Sequence, residues 1–132
     1  MMLGVERVQI VDICIRHPDD GRFLVVTNKR YGGFTTPGGK VDEGEIPREA
    51  AIRELKEETG LEPVDLTYIG YFEFNWREKP LRVYQFLANL GDQEPKEVEE
   101  GTTPYWVERD ELLEEPCLAP VSYGWLFGKM DW

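Results

Sequence analysis

The sequence predicts an α+β chain, an α/β/α arrangement in which a mixed sheet lies between helices. Three observations lead there: two pairs of strand-like runs, one well-bounded amphipathic helix between the pairs, and strands that outnumber helices in mixed order. In residues 5–15 the apolar Val8, Ile10, Val11, Ile13 and Ile15 partly alternate, and Phe23-Leu24-Val25-Val26 follows the turn signal His17-Pro18-Asp19-Asp20-Gly21. These two runs read as a hairpin. Residues 29–39 read as a loop whose glycines, Gly32-Gly33 and Gly38-Gly39, suit a backbone that approaches something closely. Pro47 fits the first turn of a helix, where its missing N–H costs nothing, and Gly60 fits the position just past the end, which sets the helix at 47–59. At 100° per residue Ala51, Ile52, Leu55 and Thr59 share one face of it, and Glu54, Glu57 and Glu58 fall on a neighbouring arc. Residues 66–76 and 81–90, rich in aromatic and β-branched side chains, form a second hairpin around Arg77-Glu78-Lys79-Pro80. Residues 92–102 are acidic and read as an exposed loop, 104–107 as a short strand, 110–114 as a helical turn and 120–129 as a terminal helix.

At 132 residues the chain has the length of one domain, expected to span 1–132. No run of about 18 apolar residues could cross a bilayer, and the start, Met-Met-Leu-Gly-Val-Glu-Arg, lacks the basic and apolar blocks of a signal peptide. The expected product is soluble and cytoplasmic. Cys14 and Cys117 show no metal or redox spacing and are expected as reduced thiols. A net charge of −11 argues against broad binding to duplex nucleic acid or anionic membranes. It permits a nucleotide, because divalent cations bridge protein carboxylates to phosphates.

The most specific feature is the spacing of Gly39, Glu45, Arg53, Glu54, Glu57, Glu58 and Gly60. With residue usage of ~6% per type, seven fixed positions match by chance on the order of once in 10⁸ starts. The segment fits G-x5-E-x7-R-E-U-x-E-E-x-G-U, with Leu55 and Leu61 as the aliphatic positions, and so resembles the box of the Nudix hydrolases. An isolated E-x-x-E-E is usually a solvated acidic helix face. Here the other positions stand at the required distances as well.

Glutamates at i, i+3 and i+4 are neighbours and repel by a few tenths of a kcal/mol per pair, a repulsion that a hard divalent cation offsets. The resemblance implies that Glu57 and Glu58 bind metal, Mg²⁺ or Mn²⁺, with the carbonyl of Gly38, and that Glu54 binds metal or helps to activate water. It implies that Arg53 holds a box carboxylate in place, whereas the residues alone also allow a simple pair with Glu49 at i−4. Glu45 serves the helix N-terminus electrostatically and, by resemblance, braces the loop; Gly39 and Gly60 are the structural glycines. In several branches of the family the general base lies on a later loop. The stretch Glu94, Glu97, Glu99 and Glu100 is where it is expected, with Glu97 or Glu100 as the choice.

Lys29, Arg30 and Lys40 are candidates for phosphate contact, or ordinary surface charges. Tyr31, Phe34 and Trp76 are candidates for stacking on a base, or core aromatics. His17 sits in a turn and is expected at the surface. The reaction implied is hydrolysis of a phosphoanhydride in a nucleoside diphosphate linked to another group, as in the MutT-like branch that converts a (d)NTP to a monophosphate and pyrophosphate. ADP-ribose, dinucleoside polyphosphates or RNA 5′ ends are alternative substrates, and a non-catalytic nucleotide sensor is a further one, acting as monomer or homodimer. Family members that select an oxidised purine carry Asn or paired Asp near Ala119-Pro120-Val121, and none stands there.

Overall fold

A computed structural model of the protein describes residues 6–27, 32–114 and 118–129. Its strands form two sheets. The first has the order β4-β1-β6-β5, made by β1 (Val8–Cys14), β4 (Gly38–Lys40), β5 (Asp65–Trp76) and β6 (Lys79–Asn89). It is mixed, because β1 and β6 run parallel while β1–β4 and β5–β6 are antiparallel. The second is antiparallel, with β2 (Phe23–Thr27) between β3 (Phe34–Thr35) and β7 (Pro104–Val107).

The expected hairpin of the first two runs is only a hinge. His17 N–H reaches Arg22 O and Leu24 N–H reaches Ile15 O, but β1 and β2 then part into different sheets. The physical reason lies in β1, whose Val11, Asp12, Ile13 and Cys14 are all buried, so it needs cover on both faces and partners on both edges. The second hairpin forms as expected, with a tighter turn: only Arg77 and Glu78 leave the ladder, both with positive φ (48° and 66°), as a two-residue hairpin turn requires.

Helix α1 (Pro47–Thr59) has the expected limits. Ile46 has no side-chain acceptor, so Glu49 Oε1 alone ties the entry, accepting from Ile46 N–H at 3.0 Å. Gly60 ends the helix in the left-handed region (φ 73°) with its N–H on Lys56 O. Ala50, Ala51 and Leu55 pack on Val11, Ile13, Ile15, Leu66 and Phe86. Ile52 is 42% exposed rather than buried, because the packed arc is centred on Ala51, Leu55 and Glu58 and leaves Ile52 on its rim.

On the other face, α3 (Leu118–Phe127) brings Tyr123 and Leu126 against Cys14, Phe23 and Val25, and α2 (Arg109–Glu114) adds Leu112. Tyr123 Oη donates to Leu24 O (3.0 Å) and accepts from Ile15 N–H (3.2 Å), tying the two sheets where β1 and β2 diverge. Cys14 is a free, buried thiol, and Cys117 lies outside the described residues. Among the described residues no helix is long and apolar enough to cross a membrane.

Candidate active site

The box places one arginine at the centre of its acids. Arg53 lies one and a half turns into α1, where its guanidinium reaches back over the loop that precedes the helix. Nε donates to Glu45 Oε2 at 2.8 Å and Nη2 to Glu45 Oε1 at 3.0 Å, a two-pronged pair. Nη1 donates to Glu54 at 2.9 Å and to Glu57 at 3.3 Å, and Nη2 also meets Lys40 O at 3.0 Å and Asp42 at 3.4 Å. Glu49, the alternative partner at i−4, is occupied at the helix entry instead. Glu45 Oε1 accepts a further bond from Asp42 N–H at 2.8 Å, so this side chain closes the loop on itself and fastens it to the helix. The Arg53 fork and that amide hold the Glu45 carboxyl below its usual range.

Glu54 and Glu58 stand next to each other on the inner side of Arg53, within hydrogen-bond reach of one another. Glu58 belongs to the packed arc of the helix, not to a solvated one, and is only 9% exposed. Its Oε1 accepts from Gly38 N–H at 2.8 Å. Burial, with the charges of Glu54 and Glu99, pushes Glu58 up to about 9 against the pull of that amide. Burial likewise raises Glu54, with Arg53 pulling down and Glu57 pushing up. Two carboxyls this close in low dielectric cannot both ionise cheaply.

The glycines allow this proximity. A Cβ on Gly39 would stand 2.6 Å from Glu54 Oε1, and one on Gly38 would overlap the Val11 carbonyl. Gly60 lets the 92–102 loop lie on the end of α1: a Cβ there would meet Lys96 Cε at 2.7 Å, and Lys96 N–H bonds Thr59 O at 2.9 Å.

Of the acids on that loop, Glu99 is exposed, accepts from Thr102 Oγ1 at 3.4 Å and acts on Glu58 electrostatically. Glu97 accepts from Thr103 Oγ1 at 2.7 Å, and Glu100 is exposed. The run of acids is visible in the sequence, but the way the loop rests on the end of α1 through Lys96 and Val98 is not. Lys40 contributes its carbonyl to Arg53, and its side chain is exposed. Phe34 is half-buried in the second sheet, edge-on to Tyr105 with ring centres 5.7 Å apart, and Trp76 packs on Phe72, Leu81 and Val83. His17 is half-buried, not at the surface, because its ring lies edge-on to Trp106 (4.8 Å). It lines a cleft of about 560 Å³ with Trp106, Asn89 and Gln93, to which no box residue contributes. Lys29, Arg30 and Tyr31 lie outside the described residues.

Sequence reading missed a second polar group behind the box. Asp12, Thr36, Gln85 and Ser122 are all buried between the first sheet and α3. Ser122 Oγ donates to Asp12 Oδ2, and Gln85 Nε2 donates to Ser122 O at 2.9 Å. Burial pushes Asp12 up to about 6, against the Ser122 and Thr36 hydroxyls that lower it. The signal was a lone acid in the apolar run Ile10-Val11-Asp12-Ile13-Cys14-Ile15.

Among the described residues no three acid, histidine or cysteine side chains already converge as a closed set of metal ligands. The donor chemistry nevertheless fits a hard divalent cation. Glu54 and Glu58 are adjacent carboxyls, both destabilised as anions by burial and Glu58 further by Glu54, Glu57 stands beside them with its side chain 47% exposed, and an open site leaves room for water and phosphate.

The NUDIX domain profile matches residues 7–126. Over 78 residues the chain is 37% identical to an 8-oxo-dGTP diphosphatase of Haemophilus influenzae, a match covering 58% of this chain and 55% of that protein. It is 46% identical over 63 residues to the asymmetrical bis(5′-nucleosyl)-tetraphosphatase of Mus musculus, covering 45% and 43%. The chain thus matches about half the length of these curated relatives. The crystal structure of a MutT protein from Methanosarcina mazei Go1 superposes with a TM-score of 0.75 at 26% identity, covering 96% of this chain and 95% of that one. With the box, the mixed sheet and the profile match in agreement, the chain belongs to the Nudix family.

Proposed function

We propose that this protein is a divalent-metal-dependent nucleotide pyrophosphohydrolase of the cytoplasm, one domain over residues 1–132, that cleaves a (d)NTP to the nucleoside monophosphate and pyrophosphate. The observation that carries the reading is the crowded pair Glu54 and Glu58, with Glu54 and the neighbouring Glu57 on Arg53 Nη1 and Glu58 on Gly38 N–H. Such a pair is costly unless a cation or proton lies between its members.

Glu54, Glu57 and Glu58 would hold Mg²⁺ or Mn²⁺, with the Gly38 carbonyl as a further donor. When bound, the metal neutralises phosphate charge and lowers the pKa of a coordinated water. Arg53 fixes the directions of Glu54 and Glu57 and keeps them from closing on each other. Gly38 N–H fixes Glu58. For the proton of the attacking water the candidates are Glu97, Glu100 and their neighbour Glu99, and we put Glu99 first because its charge acts on Glu58.

The (d)NTP substrate is supported by the likeness to a protein named 8-oxo-dGTP diphosphatase. A dinucleoside polyphosphate is the second reading, favoured by the short match to the tetraphosphatase. The test is product analysis with Mg²⁺ over a panel of (d)NTPs, ADP-ribose and diadenosine tetraphosphate. Monophosphate and pyrophosphate from a (d)NTP support the first reading, and faster cleavage of the tetraphosphate replaces it with the second. Binding without any product makes the chain a nucleotide sensor.

A further inference from the structure

A strand that ends a sheet leaves one row of backbone N–H and C=O groups without a ladder partner. Three of the four sheet edges described here are short: β3 has two residues, β4 three and β7 four. β5 is the exception, with twelve residues, paired on one side by β6 and on the other by no strand among the described residues. Leu66 O takes Arg48 Nη1 at 2.7 Å, which leaves residues 67–75 as the open stretch. Long edges are usually blunted with Pro or Lys, and β5 contains neither.

Both faces of this edge carry half-exposed aromatic rings. On the α1 face Tyr68 and Tyr71 are 48% and 49% exposed, with Tyr84 of β6 behind them at ring-centre distances of 6.3 and 6.0 Å. On the α3 face Trp125 lies over Phe72, ring centres 5.2 Å apart, and is 47% exposed. Tyrosine and tryptophan are the residues that protein interfaces concentrate at their centres. Charge does not oppose contact, because Glu73 in the middle of the edge is paired with Arg7 at 2.8 Å and with Arg82 at 3.2 Å. Three rings at about half exposure supply roughly 300 Å², and an open strand about 30 Å long, with a layer thickness of about 10 Å, supplies a similar area. Two copies would thus remove roughly 1,200 Å² from water, the lower end of what a specific, stable interface needs.

We infer that β5 is the interface of a homodimer, in which the β5 edges of two copies pair antiparallel across a twofold axis and join their four-stranded sheets into one. A second copy is the fitting partner because an antiparallel edge is complementary to itself. No other described edge is long enough to match it, so the contact closes at two subunits instead of growing into a filament. A register centred on Phe72 keeps Glu73 from facing its own copy, sets Tyr71 opposite Glu73 of the partner subunit, and places both Trp125 rings beside the axis. The interface is independent of the nucleotide reading: β4, which carries Gly38, is the opposite edge of the sheet, so each protomer keeps its own box.

Sedimentation equilibrium of the full chain, from about 1 to about 200 μM, tests the inference; the species expected at the upper end has twice the mass of the chain, with a Kd on the order of micromolar. Tyr71→Glu sets an acid against Glu73 of the partner subunit at two symmetric places, and Tyr71→Lys sets a base there. The Glu variant is expected to associate at least about tenfold more weakly than the wild type and than the Lys variant. Trp125→Ala, on the other face of the edge, is expected to weaken association as well and serves if the strand variants do not fold. Amide hydrogen exchange within residues 67–75 should be slower in the concentrated wild type than in the dilute protein or in Tyr71→Glu. A wild type that stays monomeric throughout, a polymer larger than two chains, or a dimer that neither Tyr71→Glu nor Trp125→Ala weakens overturns the inference. Hydrolysis per protomer is expected to be unchanged in the folded variants, so failure of the nucleotide panel bears on the hydrolase reading alone.

Discussion

The two sides of β1 treat their acids in opposite ways. On the α1 side Glu45, Glu54 and Glu57 all meet one guanidinium, and Glu58 is tied to a backbone amide. On the α3 side Asp12 has one oxygen on a serine hydroxyl and the other unpartnered in the interior. The first group is an electrostatic device at an open edge, where charge can be exchanged with solvent and phosphate. The second is a set of acceptors in an apolar wall, where the penalty for mismatch is large. An ion-paired acidic group and a buried, hydroxyl-bound acid are thereby separated across a single strand.

The contrast is broken most severely by removing a box carboxylate. Glu57→Gln is expected to lower kcat/KM on the order of 10²–10³-fold, the loss seen when a group aimed at developing charge is removed. Its thermal unfolding should stay near that of the wild type because the side chain is half exposed. Measuring rate and melting temperature on one sample separates the two effects.

On the other side the signature is a pH-dependent stability. Asp12 is raised from 3.8 to about 6 in the folded state, so the native protein binds more protons than the unfolded chain between those values. By linkage its contribution to stability therefore falls as pH rises from about 4 to 6, by about 3 kcal/mol in all, and is restored below 4. Glu58, raised to about 9, acts in the same direction over a higher range, and Glu45 and Asp20, held low, act oppositely in acid. Subtracting the urea-denaturation profile of Asp12→Asn from that of the wild type isolates the Asp12 step; a flat difference between pH 4 and 6 contradicts the assignment.

Arg53→Lys sharpens the comparison further. Lysine keeps the charge but cannot make the fork to Glu45 while reaching Glu54 and Glu57. Activity and metal affinity should fall roughly 10- to 100-fold, as for other groups that orient metal ligands. Smallest of all, Glu97→Gln should change kcat by less than about twofold and Glu99→Gln far more, measured as steady-state rates of the folded variants at one pH.

Much of this was legible because box and helix are local. Pro47, Gly60 and the i, i+3, i+4 glutamates fix the limits and the acidic arc of α1 from short-range geometry alone. The parting of β1 from β2 was not, since it depends on burial of both faces of β1 by partners far along the chain. Glu58 illustrates the boundary: its place on the helix was readable, but its burial, and hence its raised pKa, comes from the packing of α1 against β4 and β1. The pairing of Asp12 with Gln85 and Ser122 likewise arises from tertiary contact, with separations of up to 110 residues.

Calorimetric titration of Mn²⁺ in two buffers of different ionisation enthalpy tests the central claim most directly. The crowded Glu54 and Glu58 pair, with Glu58 raised to about 9, should bind the ion saturably and release about one proton per ion near pH 7.5. Glu58→Gln should bind at least tenfold more weakly without that release. Absence of saturable binding in the wild type, or equal binding by the variant, would contradict the account.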